Sequence, residues 1–316
     1  MSYPKVFIII LNWNGLQETL ECLESVFRLN YPNFRVIVVD NGSTDDGGGI
    51  IGKYWPKVIL ILNGENRGFA GGNNVGIRCA LDHGAEYMWL LNNDTVVERD
   101  ALSNIVTEAE KDPGIGIAGS KIYYFGHQRK IWFAGSNIDW RKGSSDHIGI
   151  GETDIGQYDD VKEVDRITGC SMLVRKNVCE SVGLFDETFF LYVEEVDWCV
   201  RARRAGFKCI FVPSSVVYHK ASVSALKIGV WDKVFSYYNT RNFLYLIKKS
   251  FRFPTREIIL VTVILRKLRN EKVNVLKMLL SSIYPSFKLE PNETPVVFAV
   301  RDFIKRRMGK VDYNFS

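Results

Sequence analysis

The sequence predicts a doubly wound α/β domain followed by a basic, helical C-terminal region. Three observations carry that prediction. Short apolar runs alternate with helical segments through the first half of the chain. Polar clusters close three of those runs, at the strand ends where such sheets bind ligands. Charge divides the chain: the first 226 residues hold 23 Lys/Arg against 29 Asp/Glu, whereas from Lys227 onward there are 18 Lys/Arg against 7 Asp/Glu. The expected division is an α/β domain over 1–225 and a basic helical region over 226–316.

The runs Val6–Leu11, Arg35–Val39, Val58–Leu62 and Tyr87–Leu91 are short and rich in Val, Ile and Leu, as strands buried on both faces are. Between them, Gln17–Leu29 sets Leu20, Leu23, Val26 and Phe27 on one helical face, and Asn73–Asp82 follows a Gly-rich turn. Asn12-Trp13-Asn14 follows the first run, Asp40-Asn41-Gly42-Ser43 the second and Asn92-Asn93-Asp94 the fourth. Further on, a helix is expected from an acidic cluster near Glu194 to about Ala205-Gly206, then a strand-like stretch Cys209–Val212 ahead of Pro213.

Composition sets limits. With 46% hydrophobic and 24% charged residues, the 316-residue chain is neither disordered nor fibrous. Its first residues carry one Lys before a short apolar run and no small-residue cleavage site, so no secretory signal is read there. The six cysteines form no C-x-x-C pair, which fits reduced, buried thiols and a cytoplasmic protein. The C-terminal region nets +11 and contains the apolar stretches EIILVTVILRKLRN and VNVLKMLLSSIY. Each falls short of the roughly 20 residues that span a bilayer. Flanked by Lys and Arg, they suggest helices lying on an anionic membrane surface, the inner face of the cell membrane. The competing reading is a helical appendage packed on the main domain with its charges in water. No nucleic-acid-binding motif accompanies the charge, so a nucleic-acid partner is not expected.

Two motif matches fail on context. Gly114–Gly119 fits G-x-G-x-x-G but runs into the strand-like Ser120–Phe125 instead of opening a helix. Gly47–Lys53 fits the start of a P-loop, but Tyr54 stands where Ser or Thr would meet magnesium. Dinucleotide and ATPase readings are set aside.

The remaining clusters suit sugar transfer. Asp94 at a strand end can hold a hard divalent ion whose shell phosphate oxygens and water complete, though taken alone it reads first as an Asx turn. In ENRGFAGGNNVG, Gly68 and Gly71 allow close backbone approach and Asn73 and Asn74 offer amides. Glu194, Glu195 and Asp197 crowd a helix start beside the aromatic run Phe189–Tyr192. Acids there suit the helix dipole, but transfer also needs a carboxylate to accept the acceptor proton. On a helix, Glu194, Asp197 and Arg201 share one side, while Glu195 points about 100° away. Glu194 or Asp197 can therefore pair with Arg201 and leave Glu195 for chemistry.

Taken in order, ILNWNG, VVDNGSTD, ENRGFAGGNNVGI, LLNNDT, ITGCSMLVRK and GLFDETFFLYVEEVDWCVRARRAG resemble the successive motifs of family 2 glycosyltransferases of the GT-A fold. The resemblance spans about the first 220 residues and is nearest to rhamnosyltransferases of bacterial and archaeal cell-surface polysaccharide synthesis. It implies an inverting transferase using a dTDP- or UDP-sugar, a Mg²⁺ or Mn²⁺ ion, and a glycan or polyprenyl-linked acceptor. It implies that Asp40 meets the pyrimidine, with Asn12, Trp13, Asn14 and Asn41 lining the pocket. Asn92-Asn93-Asp94 takes the place of D-x-D, so Asp94 is the expected metal ligand and Asn92 replaces the first carboxylate. By the same likeness Glu195 is the base, with Glu194 and Asp197 as alternatives. Gly169, Cys170 and Ser171 lie near the acceptor, and His219 meets the metal or diphosphate. Two other classes remain: a sugar-nucleotide-forming nucleotidyltransferase, whose Gly-rich triphosphate loop ILNWNG lacks, and a non-catalytic glycan-binding protein, which would not need Asp94 or the acids.

Overall fold

The structure, a computed structural model, describes residues 3–127, 129–220, 230–271 (side chains from Asp232) and 294–311. The boundary at 225/226 and the stretch VNVLKMLLSSIY lie outside the described residues. Two compact units form: Met1–Asn137 with Asp146–Asp186 and Glu195–Ala221, and Ile138–Ser145 with Glu187–Glu194 and Ser222–Ser316.

The first unit is a mixed α/β domain. Its strands are β1 (Val6–Asn12), β2 (Phe34–Asp40), β3 (Val58–Leu62), β4 (Tyr87–Asn92), β5 (Thr95–Val97), β6 (Ile115–Tyr124), β7 (Ile131–Phe133), β8 (Lys162–Glu163), β9 (Ser171–Arg175) and β10 (Lys208–His219). They join in the order β3-β2-β1-β4-β9-β6-β10-β5, with β7 on β6 and β8 on β10. The β3-β2-β1-β4 block is parallel, and β9 runs antiparallel between β4 and β6. Val6 to Ile10 are fully buried; each such apolar side chain contributes about 1.5–3 kcal/mol when removed from water. Sequence order reverses between β1 and β4, which makes their carboxyl ends the switch point where such sheets bind ligands.

Helices α1 (Leu16–Val26), α2 (Gly47–Tyr54), α3 (Gly68–Asp82), α4 (Ala101–Glu110), α5 (Lys176–Val182) and α6 (Glu194–Arg204) connect the strands. Helix α3 starts at Gly68, so the glycines expected to form a turn lie inside its first turns. Gly72 and Gly76 let it rest on β1: a Cβ at Gly72 would lie 2.4 Å from Leu11 Cδ1, and one at Gly76 2.5 Å from Ile9 Cγ2. The Gly114–Gly119 match runs from the turn before β6 into that strand, and Gly47 opens a helix, so neither cradles a phosphate in the expected motif context.

Strand β10 runs past Pro213 to His219, further than the sequence suggests. Its pairing with β6 shifts between Val212 and Val216, a bulge that accommodates a residue with no N–H to donate. Beyond the bulge β10 also pairs with β5, placing His219 opposite Thr95.

The second unit holds α7 (Val230–Ser250), α8 (Thr255–Asn270) and α9 (Pro295–Ile304), so the helical C-terminal region is present. Its polar centre is on α7. Asn242 Nδ2 donates to the carbonyls of Phe189 (2.9 Å), Leu191 (2.9 Å) and Tyr192 (2.8 Å). Fully buried Arg241 donates to Gly309 O at 2.9 Å and lies over the Tyr237 and Tyr238 rings. The segment they hold has positive φ at Phe190 (65°), Tyr192 (65°) and Val193 (75°), a conformation that needs such support, most of all for β-branched Val193.

Candidate active site

At the switch point, Asn12 and Asp40 face each other in the β1–β2 register. Asn12 Nδ2 donates to Asp40 Oδ2 at 2.9 Å, and Ser43 N donates to Asp40 Oδ1 at 2.9 Å. Both oxygens of this buried carboxylate are engaged, and each keeps a second lone pair for a ligand. Asn14, at φ 50°, accepts from Thr44 N at 2.7 Å. Trp13 is 44% exposed beside this cluster, available for stacking.

Asn41 is committed to its own chain. Its Oδ1 accepts from Asn63 Nδ2 (3.0 Å) and Arg67 N (3.2 Å), and its Nδ2 donates to Gly68 O (3.1 Å), pinning the entry to α3. Asn74 is likewise engaged, exchanging bonds of 3.0 and 3.1 Å with the Phe185 backbone. Gly71 is buried within α3. The structure thus gives Asn41 and Asn74 scaffold contacts that their sequence context did not reveal.

Asn92 N donates to Cys170 O at 3.0 Å, which sets the Gly169–Ser171 segment against the end of β4. Asn93 Nδ2 donates to Thr19 Oγ1 at 3.0 Å, tying the run to α1. Asp94 Oδ1 lies 3.1 Å from His219 Nε2, both side chains largely buried. The two candidate metal ligands, 125 positions apart in the chain, therefore meet. The Nδ1 of His219 is buried with no hydrogen-bond partner among the described residues, and Trp132 packs edge-on against the ring at 4.4 Å. One carboxylate and one imidazole suit Mg²⁺ or Mn²⁺ when phosphate oxygens and water supply the other positions. No cluster of three or more His, Cys, Asp and Glu occurs among the described residues, so those other positions would fall to a substrate.

The acids separate as their helical spacing suggests. Asp197, buried, pairs with Arg201 at 2.7 Å, and Arg201 donates onward to Leu184 O at 2.7 Å and to Val182 O. This is a structural staple. Glu194 is buried at the first residue of α6. With Arg201 taken by Asp197, Glu195 is left out of that pair. It instead meets Arg166, with Nη1 2.9 Å from Oε1, and its Cβ lies 4.0 Å from where a Cβ on Gly169 would be. Glu195, Gly169, Cys170, Asn92 and Asp94 thus form one contiguous path. Sequence reading missed Arg166, Trp132, Arg241 and Asn242, each of which has a partner remote in sequence: Glu195, His219, Gly309 and Phe189 in turn.

The sheet order and this grouping of polar strand ends define a nucleotide-sugar transferase fold. Residues 7–183 match the profile of glycosyl transferase family 2, more than half of the chain, and the protein belongs to that family. It is a glycosyltransferase of the GT-A fold. Among its relatives is the dTDP-rhamnosyl transferase RfbF of Shigella flexneri, 25% identical over 250 residues that make up 78% of this chain and 80% of that one. The low-salt glycan biosynthesis hexosyltransferase Agl10 of Haloferax volcanii is 29% identical over 173 residues, about half of each chain (53% and 53%). The N-acetylglucosaminyl-diphospho-decaprenol L-rhamnosyltransferase of Mycobacterium tuberculosis is 26% identical over 213 residues, 59% of this chain and 66% of that one. Among solved structures, the mannosyltransferase PcManGT from Pyrobaculum calidifontis, in complex with GDP-Man and Mn²⁺, superposes with a TM-score of 0.57 at 15% identity, over 96% of this chain and 86% of that one.

Proposed function

We propose that the protein is an inverting, metal-dependent transferase. It moves rhamnose or a hexose from a dTDP- or UDP-sugar to a glycan or polyprenyl-linked acceptor in cell-surface polysaccharide synthesis. The observation that carries this reading is the Asp94–His219 contact, joined through Asn92 and Cys170 to Gly169 beside Glu195. The names of the rhamnosyl- and hexosyltransferase relatives support the sugar and the setting.

Asp94 and His219 would hold a divalent cation, which when bound neutralises charge on the departing diphosphate. Asp40, fixed by Asn12 and Ser43, accepts from the ring N–H of uracil or thymine, with Asn12, Trp13 and Asn14 around it. Glu195 takes the acceptor hydroxyl proton as the oxygen attacks the anomeric carbon. A single displacement inverts that carbon, by the same geometry that distinguishes inverting glycosidases. Asp197 is structural in this scheme. Residues 1–225 carry the chemistry and 226–316 the basic helical region.

The C-terminal helices support a peripheral site on an anionic bilayer. Ile258, Val261 and Leu265 lie exposed on one face of α8, with exposed Phe253 just before it and exposed Arg252, Arg266 and Arg269 flanking them. No helix among the described residues is long and apolar enough to cross a membrane.

A panel of dTDP-, UDP- and GDP-sugars, assayed with Mn²⁺ and with a chelator, tests the transferase reading. Metal-dependent turnover of a pyrimidine-linked donor, with a product of opposite anomeric configuration, is expected. Turnover only with GDP-sugars, or retention of configuration, contradicts it.

A further inference from the structure

We propose that Arg166 is the positioning residue of the general base: it fixes one oxygen of Glu195 and leaves the other for the acceptor hydroxyl. The inference rests on Glu195 being the base.

Arg166 Nη1 donates to Glu195 Oε1 at 2.9 Å, while Oε2 has no hydrogen-bond partner among the described residues. The side chains are 5% and 15% exposed, so the cation is sealed and the carboxylate keeps an opening. A guanidinium left to itself prefers to grip both carboxylate oxygens with two parallel donors. Here Nε is turned to Ser136 Oγ at 3.3 Å, and the Ser136 hydroxyl donates to Asp146 O at 2.9 Å. The backbone is held at the same place, since Asp165 N and Arg166 N both donate to Ser136 O, at 3.1 and 3.3 Å. Ser136 therefore sets the angle of the fork, and the fork reaches Glu195 through one nitrogen. A carboxylate held at one oxygen cannot swing through its rotamers, and its free oxygen keeps one direction. Such fixed direction is worth much in rate: a misplacement of about 1 Å can cost about 10²-fold. The pair joins the segment before β9 to the first turn of α6, 29 residues apart.

The test uses the full-length protein with Mn²⁺ and a donor that the panel shows to be turned over. It compares Glu195→Gln, Arg166→Ala, Arg166→Lys and Ser136→Ala, reading kcat and, separately, the Kd for the nucleoside diphosphate. Glu195→Gln is expected to lose about 10²- to 10⁴-fold in kcat. Arg166→Ala should lose about 10²-fold in kcat at unchanged Kd, Arg166→Lys should recover part of it, and guanidinium chloride should raise the turnover of Arg166→Ala. If Arg166→Ala does not fold, a lower kcat at unchanged Kd in both Arg166→Lys and Ser136→Ala is the expected result. The proposal is overturned if Glu195→Gln is inactive while the folded Arg166 variants and Ser136→Ala keep kcat within about twofold of wild type. It is also overturned if the loss comes with a raised Kd and guanidinium restores nothing. Normal turnover in Glu195→Gln would instead remove the base assignment itself, and this inference with it.

Discussion

Next to Arg166 lies His147, its ring edge-on to Trp132 at 4.5 Å. Burial, and then the nearby Arg166 charge, push its imidazole down to about 3. The folded protein therefore keeps His147 neutral down to about pH 3, while the unfolded chain takes up a proton below about pH 6.5. Between those values the unfolded state binds more protons, so stability falls as pH falls; above about 6.5 the residue contributes no pH dependence. The effect reaches at most about 2 kcal/mol by pH 5, since one pKa unit corresponds to about 1.4 kcal/mol. His147→Gln should flatten the decline in melting temperature between pH 7 and 5, and an unchanged slope would contradict a neutral, buried ring. Residues of this kind were hidden in the sequence. Asp40, Asp94 and Glu195 stand in recognisable motifs, but His147 and Arg166 acquire their roles from partners supplied by other loops, and nothing local marks them. His219 was legible only as a late histidine; its contact with Asp94 comes from the β10–β5 pairing.

Elements were read more completely than contacts. Each of the four N-terminal strands lies within a residue of its expected start and end, because runs such as VFIIILN and FRVIVVD have few alternatives to a buried strand. Helix α3 was expected five residues late, since glycines usually signal turns; close packing on β1 selects them here despite their low helix propensity. The antiparallel insertion of β9 between β4 and β6 has no local signature at all. In the C-terminal unit, α7 carries a polar pair that a charge count cannot find. Replacing Asn242 with Leu keeps the number and branching of heavy atoms but strips the donor from the carbonyls of Phe189, Leu191 and Tyr192. Chemical denaturation should show a loss of about 1–3 kcal/mol. A change within about 0.5 kcal/mol, the range of ordinary surface substitutions, would show that the 189–192 segment does not depend on α7.

At the scale of the molecule, charge divides between an acidic first part and a basic C-terminal part, and the proposed membrane site lies in the second. Cutting the chain near Ser224 would test membrane binding poorly, because it also removes Arg241 and Asn242 from the segment that leads into α6. Ile258→Asp with Leu265→Asp is the cleaner change, as both side chains are exposed on α8. The double variant should lose sedimentation with phosphatidylglycerol vesicles that the wild type shows at low salt, and keep its melting temperature. Equal sedimentation of both would move the basic region to a packing or protein-binding role. The central claim, that the strand-end cluster is a metal-assisted pyrimidine nucleotide site, is tested most directly by calorimetry of UDP and dTDP binding with and without Mn²⁺, in wild type and Asp94→Ala. The account predicts binding that needs Mn²⁺, favours UDP or dTDP over GDP, and disappears in a folded Asp94→Ala; equal affinity in the variant, or tightest binding of GDP, would contradict it.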